Sequence, residues 1–281
     1  MAAMLGTLRA IAARPTGRLG LGLVALVLLV AVASPWLAIH DPTRIDVLAR
    51  FQPPSGRHWM GTDHLGRDLL SRTVHGTRIA MQAALTVILL ALLAGTLLGV
   101  VAAWSPRRAE RPVLVLFDVV TAFPPILLAL AMVAVVGPSL GNVILIVTVT
   151  LIPHFGRVAR AQALAITGTP FIEAERGLGA SPARILLAHL LPNILGPLVV
   201  LASMDVPVVI TIEAGLSFLG VGVRPPRASW GTLLYDGYSY LSQSIWPVIF
   251  AGLVLSAATL GFTLFGEALR DAVDPKLRRA E

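Results

Sequence analysis

Apolar and polar positions in this chain alternate in blocks far longer than one helical face or one strand. Apolar runs occupy roughly 19–39, 80–104, 113–136, 141–153, 186–212 and 245–265, separated by stretches rich in Arg, Asp, Gly and Pro. A helix needs about 20 predominantly apolar residues to cross a bilayer, and most of these runs approach that length. The pattern predicts an all-α membrane protein with six transmembrane helices. It divides into residues 1–78 (an N-terminal segment, the first span and a polar segment) and a core of five spans over 79–281.

Breaks in the pattern give the spans their details. Arg9, Arg14 and Arg18 precede the first run; a cleaved leader ending near Ala31 and Ala33 fits less well, because the run is long and Pro35 sits beside the cut. Gly95 and Gly99 make a GxxxG step in the second span, which permits close helix approach. Pro124 and Pro125 fall inside the third span and predict a kink, tolerable where protein or a wet cavity satisfies the freed carbonyls. Residues 137–141 form a tight turn into the fourth span. The run 186–212 carries Pro192, Pro197 and Pro207, which predicts a surface approach, a bend near Pro192 and then the fifth span. Residues 213–244 read as a polar excursion and 266–281 as a tail.

The interior stretch 169–193, TPFIEAERGLGASPARILLAHLLPN, interrupts the apolar pattern most strongly. Thr169 can cap a helix that opens on Pro170, where a missing N–H costs nothing. Glu173 falls in the first turns and complements the helix dipole. Gly179 is the natural left-handed stop, and Ser181-Pro182 repeats the start signal. The result is a short surface helix tied by a tight turn to a transmembrane helix, a device able to pass a push from a soluble partner into the bilayer.

Composition narrows the function. The chain has 281 residues, 56% apolar and 13% charged, with a mean hydropathy of +0.81. It has no cysteine, so disulfides and thiol chemistry are excluded. Its net charge of +7 is carried almost wholly by arginine, and no basic patch with interleaved aromatics supports nucleic-acid binding. Lys276, the one lysine, lies outside any GxxxxGK[ST] loop, so ATP hydrolysis by a P-loop is excluded for this chain. With six spans, 14 of the 22 basic residues fall on the side of the N-terminus and of the 169–193 loop. That asymmetry places both termini and the loop in the cytoplasm. No catalytic constellation is present: Ser217 lies in no nucleophile elbow, and the histidines are scattered.

Four segments carry a resemblance. Glu173-Ala174, Gly179 and His189-Leu190-Leu191-Pro192-Asn193 resemble the "EAA" loop of ABC-importer permeases, in its dipeptide/oligopeptide/nickel branch. Gly61-Thr62-Asp63-His64-Leu65-Gly66-Arg67-Asp68, with Ser71-Arg72, is similar to the GTDxxGRDxxSR signature of the second permease subunit. Glu213-Ala214-Gly215-Leu216-Ser217-Phe218-Leu219-Gly220, with Ser229-Trp230-Gly231, and the LRDAVDP ending at 269–275 are similar to the same subunit. Glu175 departs from the usual second alanine, and Ala188 stands where a basic residue is common, which makes the loop more acidic than usual.

The resemblance implies a type I importer permease in the bacterial inner membrane, moving di- or oligopeptides. It implies a homologous permease partner, two ATPase subunits and an extracytoplasmic binding protein. It also implies that this chain holds no cofactor, ATP and Mg being bound by the ATPases. ATPase coupling then falls to Glu173, Ala174, Glu175, Gly179, Ala180, Ser181 and Pro182. The extracytoplasmic signature comprises Gly61, Asp63, Gly66, Arg67, Asp68, Arg72, Glu213 and Trp230. Nickel or another small solute is the alternative cargo within the family. An ATPase-independent secondary transporter is the alternative class, but it would predict an inverted repeat that the chain does not display.

Three further expectations concern individual side chains. Asp68 and Arg72, four apart, are placed to pair on one helix face. His58, Asp63, His64 and Asp68 match no metal-ligand spacing and read as part of a solvated structural element, without metal. Asp118 is placed to pair with Arg111 or another subunit. Asp205, deep in the fifth span, is expensive there, and with Pro124 and Pro125 is a candidate for lining the pathway.

Overall fold

The longest helix among the described residues packs against the helices Pro15–Leu37, Arg107–Thr121, Leu140–Thr167, Leu191–Phe218, Trp230–Ser239 and Trp246–Val273. In the computed structural model, which describes residues 2–273, this helix spans Leu69–Trp104. Numbered in chain order, α1 is Ala2–Ala13, α2 Pro15–Leu37 and α3 the long helix Leu69–Trp104. Then come α4 (Arg107–Thr121), α5 (Pro125–Val136), α6 (Leu140–Thr167) and α7 (Pro170–Gly177). A short turn, α8 (Pro182–Arg184), leads through a π-helical segment, Ile185–Leu190, into α9 (Leu191–Phe218). α10 (Trp230–Ser239) and α11 (Trp246–Val273) complete the described residues, among which β structure is confined to one isolated bridge, Thr62–Asp68. Asp274 and Pro275 of the LRDAVDP ending, with Lys276, Arg278 and Arg279, lie outside the described residues.

Among the described residues, five helices are long and apolar enough to cross a membrane: Pro15–Leu37, Leu69–Trp104, Leu140–Thr167, Pro182–Phe218 and Trp246–Val273. The expected third span differs from its prediction. It is broken into Glu110–Thr121 and Pro125–Val136, which meet at 90°. Two successive prolines remove two N–H donors, and Pro124 adopts an extended conformation that caps α5 with Pro125 at its first turn. Instead of a kink there is a break.

Three other boundaries move for physical reasons. The second span starts at Leu69, not near 80, because Asp68 caps it there: its side chain accepts from the Ser71 N–H at 2.8 Å. The fourth runs through Pro153 to Thr167. The fifth does not bend away at Pro192. The Leu191 N–H reaches back to the Leu186 carbonyl, and this widened turn accommodates the proline without stopping the helix. The segment 213–244 is also more ordered than a polar excursion: α9 continues to Phe218, and α10 opens on a capping box at Ser229 and Thr232.

Small residues let the helices approach. A Cβ on Gly95 would lie 2.7 Å from the Ile152 carbonyl oxygen, and one on Gly99 would overlap the Gly156 carbonyl, so α3 and α6 meet backbone to backbone. A Cβ on Gly20 would lie 2.6 Å from the Phe265 N, and one on Gly261 2.7 Å from Leu23, which sets α2 against α11. Without water to drive association between helices in lipid, such van der Waals contact is the main attraction. Val24, Val27 and Ala31 are buried in the common core, so the first apolar run is an integral helix of the bundle.

Candidate functional site

Three groups of residues stand out: a surface helix at one end of α3, a polar cap at its other end, and a polar pair between spans.

The surface helix is α7. Ile172 anchors it with no exposure, while Phe171, Glu173, Ala174, Leu178 and Gly179 face outward. Thr169 has the extended backbone of a cap but no side-chain cap bond; its hydroxyl donates instead to the Ile166 carbonyl at 2.7 Å. The C-terminus is closed by a Schellman turn. Ala180 N–H donates to Glu175 O at 3.0 Å, Gly179 N–H donates to Arg176 O at 3.0 Å, and Gly179 has φ +83°. Ser181 then accepts from the Arg184 N–H, and Pro182 starts the helical path into α9. The expected acidic docking face is halved: Glu175 turns back toward His189, Oε2 to Nε2 3.6 Å, and Phe171 packs edge-on to the same imidazole. Glu173 remains outside. Arg176 lies over the Trp104 ring, 5.7 Å from its centroid, fixing α7 to the end of α3.

The cap sits at the start of α3, which at about 1.5 Å per residue is roughly 54 Å from its far end. It is not a solvated element. Thr62, Asp63, Arg67, Asp68, Arg72 and Trp230 are all buried. The Asp63 carboxylate accepts from the N–H groups of Leu65 (2.9 Å) and Arg67 (3.0 Å) and from Arg67 Nε (2.7 Å), with Arg72 Nε at 3.2 Å. Both guanidinium groups also face Asp236 of α10, at 3.4 and 3.8 Å. The expected Asp68–Arg72 pair is absent, because Asp68 is committed to capping α3 and to His58 Nδ1 at 2.9 Å. Gly61 (φ +80°) and Gly66 (φ +74°) are required twice over: a Cβ would overlap the carbonyl of Gln52 or Asp46 respectively. Trp230 donates its indole N–H to the Thr73 carbonyl, and Glu213 accepts from the Ser217 hydroxyl at 2.7 Å. His64 stacks on Tyr240 at 4.7 Å. Burial holds the His64 pKa below its ordinary value and pushes that of Asp236 up.

The polar pair joins α6 and α9. Asp205 Oδ2 lies 3.3 Å from His154 Nε2; the aspartate is buried and the imidazole half-exposed. In the sequence His154 carries no sign of this pairing beyond its position one residue after Pro153 in an apolar run. Asp118 pairs with Arg157 at 2.8 Å, not with Arg111. Pro124 and Pro125 are exposed at the break, and neither Asp118 nor the prolines join the Asp205 pair.

Comparison with known proteins decides the class. The family model for the inner membrane component of binding-protein-dependent transport systems matches residues 95–279, and that for the N-terminal transmembrane domain of oligopeptide transport permease C matches residues 6–54. The chain belongs to this permease family. It is 40% identical over 272 residues to a putative peptide transport system permease protein of Brucella suis, covering 97% of this chain and 92% of the relative. It is 39% identical over 254 residues to the probable D,D-dipeptide transport system permease protein of Escherichia coli, covering 90% and 85%. Among solved structures it is similar to the inward-facing MetNI methionine ABC transporter, with TM-score 0.57, 24% identity and coverage of 73% of this chain and 96% of that chain. It is similar also to an amino acid ABC transporter, with TM-score 0.55, 15% identity and coverage of 75% and 93%. These two likenesses concern the fold. The permease is a multi-pass membrane protein of an ABC importer family.

Proposed function

We propose that this permease carries di- or oligopeptides inward across the cytoplasmic membrane and is driven by ATP hydrolysed on separate subunits. The observation that carries the reading is the connection at α7. An exposed helix with one buried anchor, Ile172, is closed by the Gly179 turn and runs through Pro182 into α9 as one path. A push on Glu173, Ala174 and the turn residues Gly179, Ala180, Ser181 and Pro182 is thereby delivered to a transmembrane helix. Peptide cargo is supported by the names of the relatives at 39–40% identity.

The working complex in this reading is a heterodimer with a homologous permease, two ATPases binding ATP and Mg, and a binding protein outside. The permease itself performs no chemistry. Both termini and α7 face the cytoplasm, a reading supported by the basic residues Arg157, Arg160, Arg176 and Arg184 around the α6–α8 region, and the cap faces outward. Domain closure on ATP biases two packings of the spans, and the binding protein biases them in the opposite sense. The pathway runs past the Asp205–His154 pair, where a carboxylate favours the cationic amine of a peptide, and past the Pro124–Pro125 break.

The deciding experiment is ATP-driven peptide uptake into proteoliposomes, comparing wild type with Glu173→Ala and Gly179→Asp in complexes shown to assemble. Loss of uptake with uncoupled or lost ATPase stimulation supports the reading. Unchanged uptake in both variants removes α7 as the coupling element and returns the secondary-transporter alternative.

A further inference from the structure

The cap brings together three side chains, His40, His58 and Asp68, of which the importer reading uses only Asp68, as part of the extracytoplasmic signature. His40 follows α2 directly, His58 lies in the irregular segment beyond the Val47–Ala49 turn, and Asp68 caps α3. One ligand atom from each of the three lies within 4.8 Å of the others. His58 Nδ1 is 2.9 Å and His40 Nδ1 3.7 Å from the same oxygen, Asp68 Oδ1. Two atoms bound at about 2.1 Å to a tetrahedral zinc stand about 3.4 Å apart, between these two values.

The surroundings suit a cation. Asp68 is oriented by its other oxygen, Oδ2, which accepts from the Ser71 N–H and hydroxyl at 2.8 and 2.7 Å. The Ser71 hydroxyl in turn accepts the His40 backbone N–H at 3.1 Å, and His58 is held by reciprocal bonds with Ser55. His40 Nδ1 is buried and has no hydrogen-bond partner. Asp41 and Asp46 line the same hollow and offset Arg44 and Arg57 there. The neighbouring group Asp63, His64 and Asp236 is different: Arg67 and Arg72 already neutralise its carboxylates, which leaves no room in the charge balance for a metal.

We propose that His40 Nδ1, His58 Nδ1 and Asp68 Oδ1 bind one zinc-class divalent cation, with water in the fourth position. A donor set of two imidazoles and one carboxylate suits zinc better than calcium or magnesium, which prefer oxygen alone. Ligation through Nδ1 requires the His58 tautomer with its proton on Nε2. The cation is structural, not cargo: it clips the irregular segment 38–68 to the start of α3 and shortens the loops that folding must close. The site stands independently of what the permease transports.

The test uses the full-length chain, purified with its associated subunits through a histidine-free tag and stripped with EDTA. Zinc is titrated against a chromophoric chelator of micromolar affinity. The wild-type complex is expected to bind one equivalent more than His40→Ala, whose affinity at this site falls at least tenfold, while His64→Ala keeps the full stoichiometry. Zinc is also expected to raise the thermal midpoint of the wild type but not of His40→Ala. Should His40→Ala not fold, His40→Tyr replaces it with the same expectations, because it fills the space without a ring nitrogen. Equal zinc binding and equal thermal response in wild type and the His40 variant, or loss of binding in His64→Ala, overturns the site.

Discussion

Glu175 of α7 faces His189 at the entry to α9, with Oε2 and Nε2 3.6 Å apart across the turn that joins a surface helix to a span. Both side chains are about one-fifth exposed, so as an isolated ion pair the contact is worth no more than about 1 kcal/mol. Its importance is positional, because in the proposed mechanism it ties the end of α7 to the span that α7 drives. Glu175→Ala, His189→Ala and the double variant are therefore expected to reduce ATP-driven uptake by similar factors, with assembly intact. A double variant whose loss is the product of the two single losses would show that the residues act separately and sink this account.

Gly179 and Gly177 are two residues apart and predict opposite responses to alanine. Both have open space where a Cβ would go, but only Gly179 has a left-handed backbone, at φ +83°. Gly179→Ala adds strain of about 1–2 kcal/mol to the Schellman turn. Gly177, the last residue of α7, is helical, so alanine there is neutral or stabilising by up to about 1 kcal/mol. Hydrogen exchange of amides 174–180 reads both effects. Gly179→Ala is expected to speed exchange several-fold and Gly177→Ala to slow it or leave it unchanged; equal protection in the two would contradict the strain argument.

The buried ion network of the cap predicts a strong asymmetry between its two acids. Asp63 is fully buried and accepts from two backbone N–H groups as well as facing two arginines, whereas Asp236 is one-fifth exposed and 3.4–3.8 Å from them. Removing the Asp63 charge leaves Arg67 and Arg72 short of compensation in a dry site, a cost on the order of 3–5 kcal/mol. Asp63→Asn is expected to abolish recovery of monodisperse complex by size exclusion. Asp236→Asn is expected to assemble with a lowered thermal midpoint. If Asp63→Asn assembles as well as wild type, the cap does not depend on this network.

The lengths of the apolar blocks placed the spans, and the glycine at 179 was legible as a helix stop because it adopts a positive φ that other residues resist. What could not be read locally was the choice among competing partners. Arg72 lies four residues from Asp68, yet the N–H groups opening α3 and His58 take that carboxylate first, and Arg72 finds Asp63 and Asp236 instead. Pro192 signalled a bend because its ring excludes the ordinary preceding turn, but a widened turn at Ile185–Leu190 absorbs it. Asp205 announced itself as an acid in an apolar run, while its partner His154 lies on another span. Pairing between helices has no signature within either one.

His64 makes the cap sensitive to acid in a defined sense. It stacks on Tyr240, and Asp63, Arg67, Arg72 and Asp236 face it. Burial holds its folded pKa below the ordinary 6.5, so the unfolded chain takes up the proton first as pH falls. Its stabilising contribution is complete above pH 6.5 and is lost as pH drops toward the folded value. Asp236, raised by burial, works the other way: its contribution is present below its ordinary 3.8 and is lost as pH rises through the folded value. Around neutrality, mild acidification therefore weakens the cap through His64. The thermal midpoint of the complex is expected to fall between pH 7.5 and 5.5, and His64→Gln, which keeps a planar polar side chain without a titrating ring, is expected to flatten that fall. An equally steep fall in His64→Gln would assign the acid sensitivity to another group.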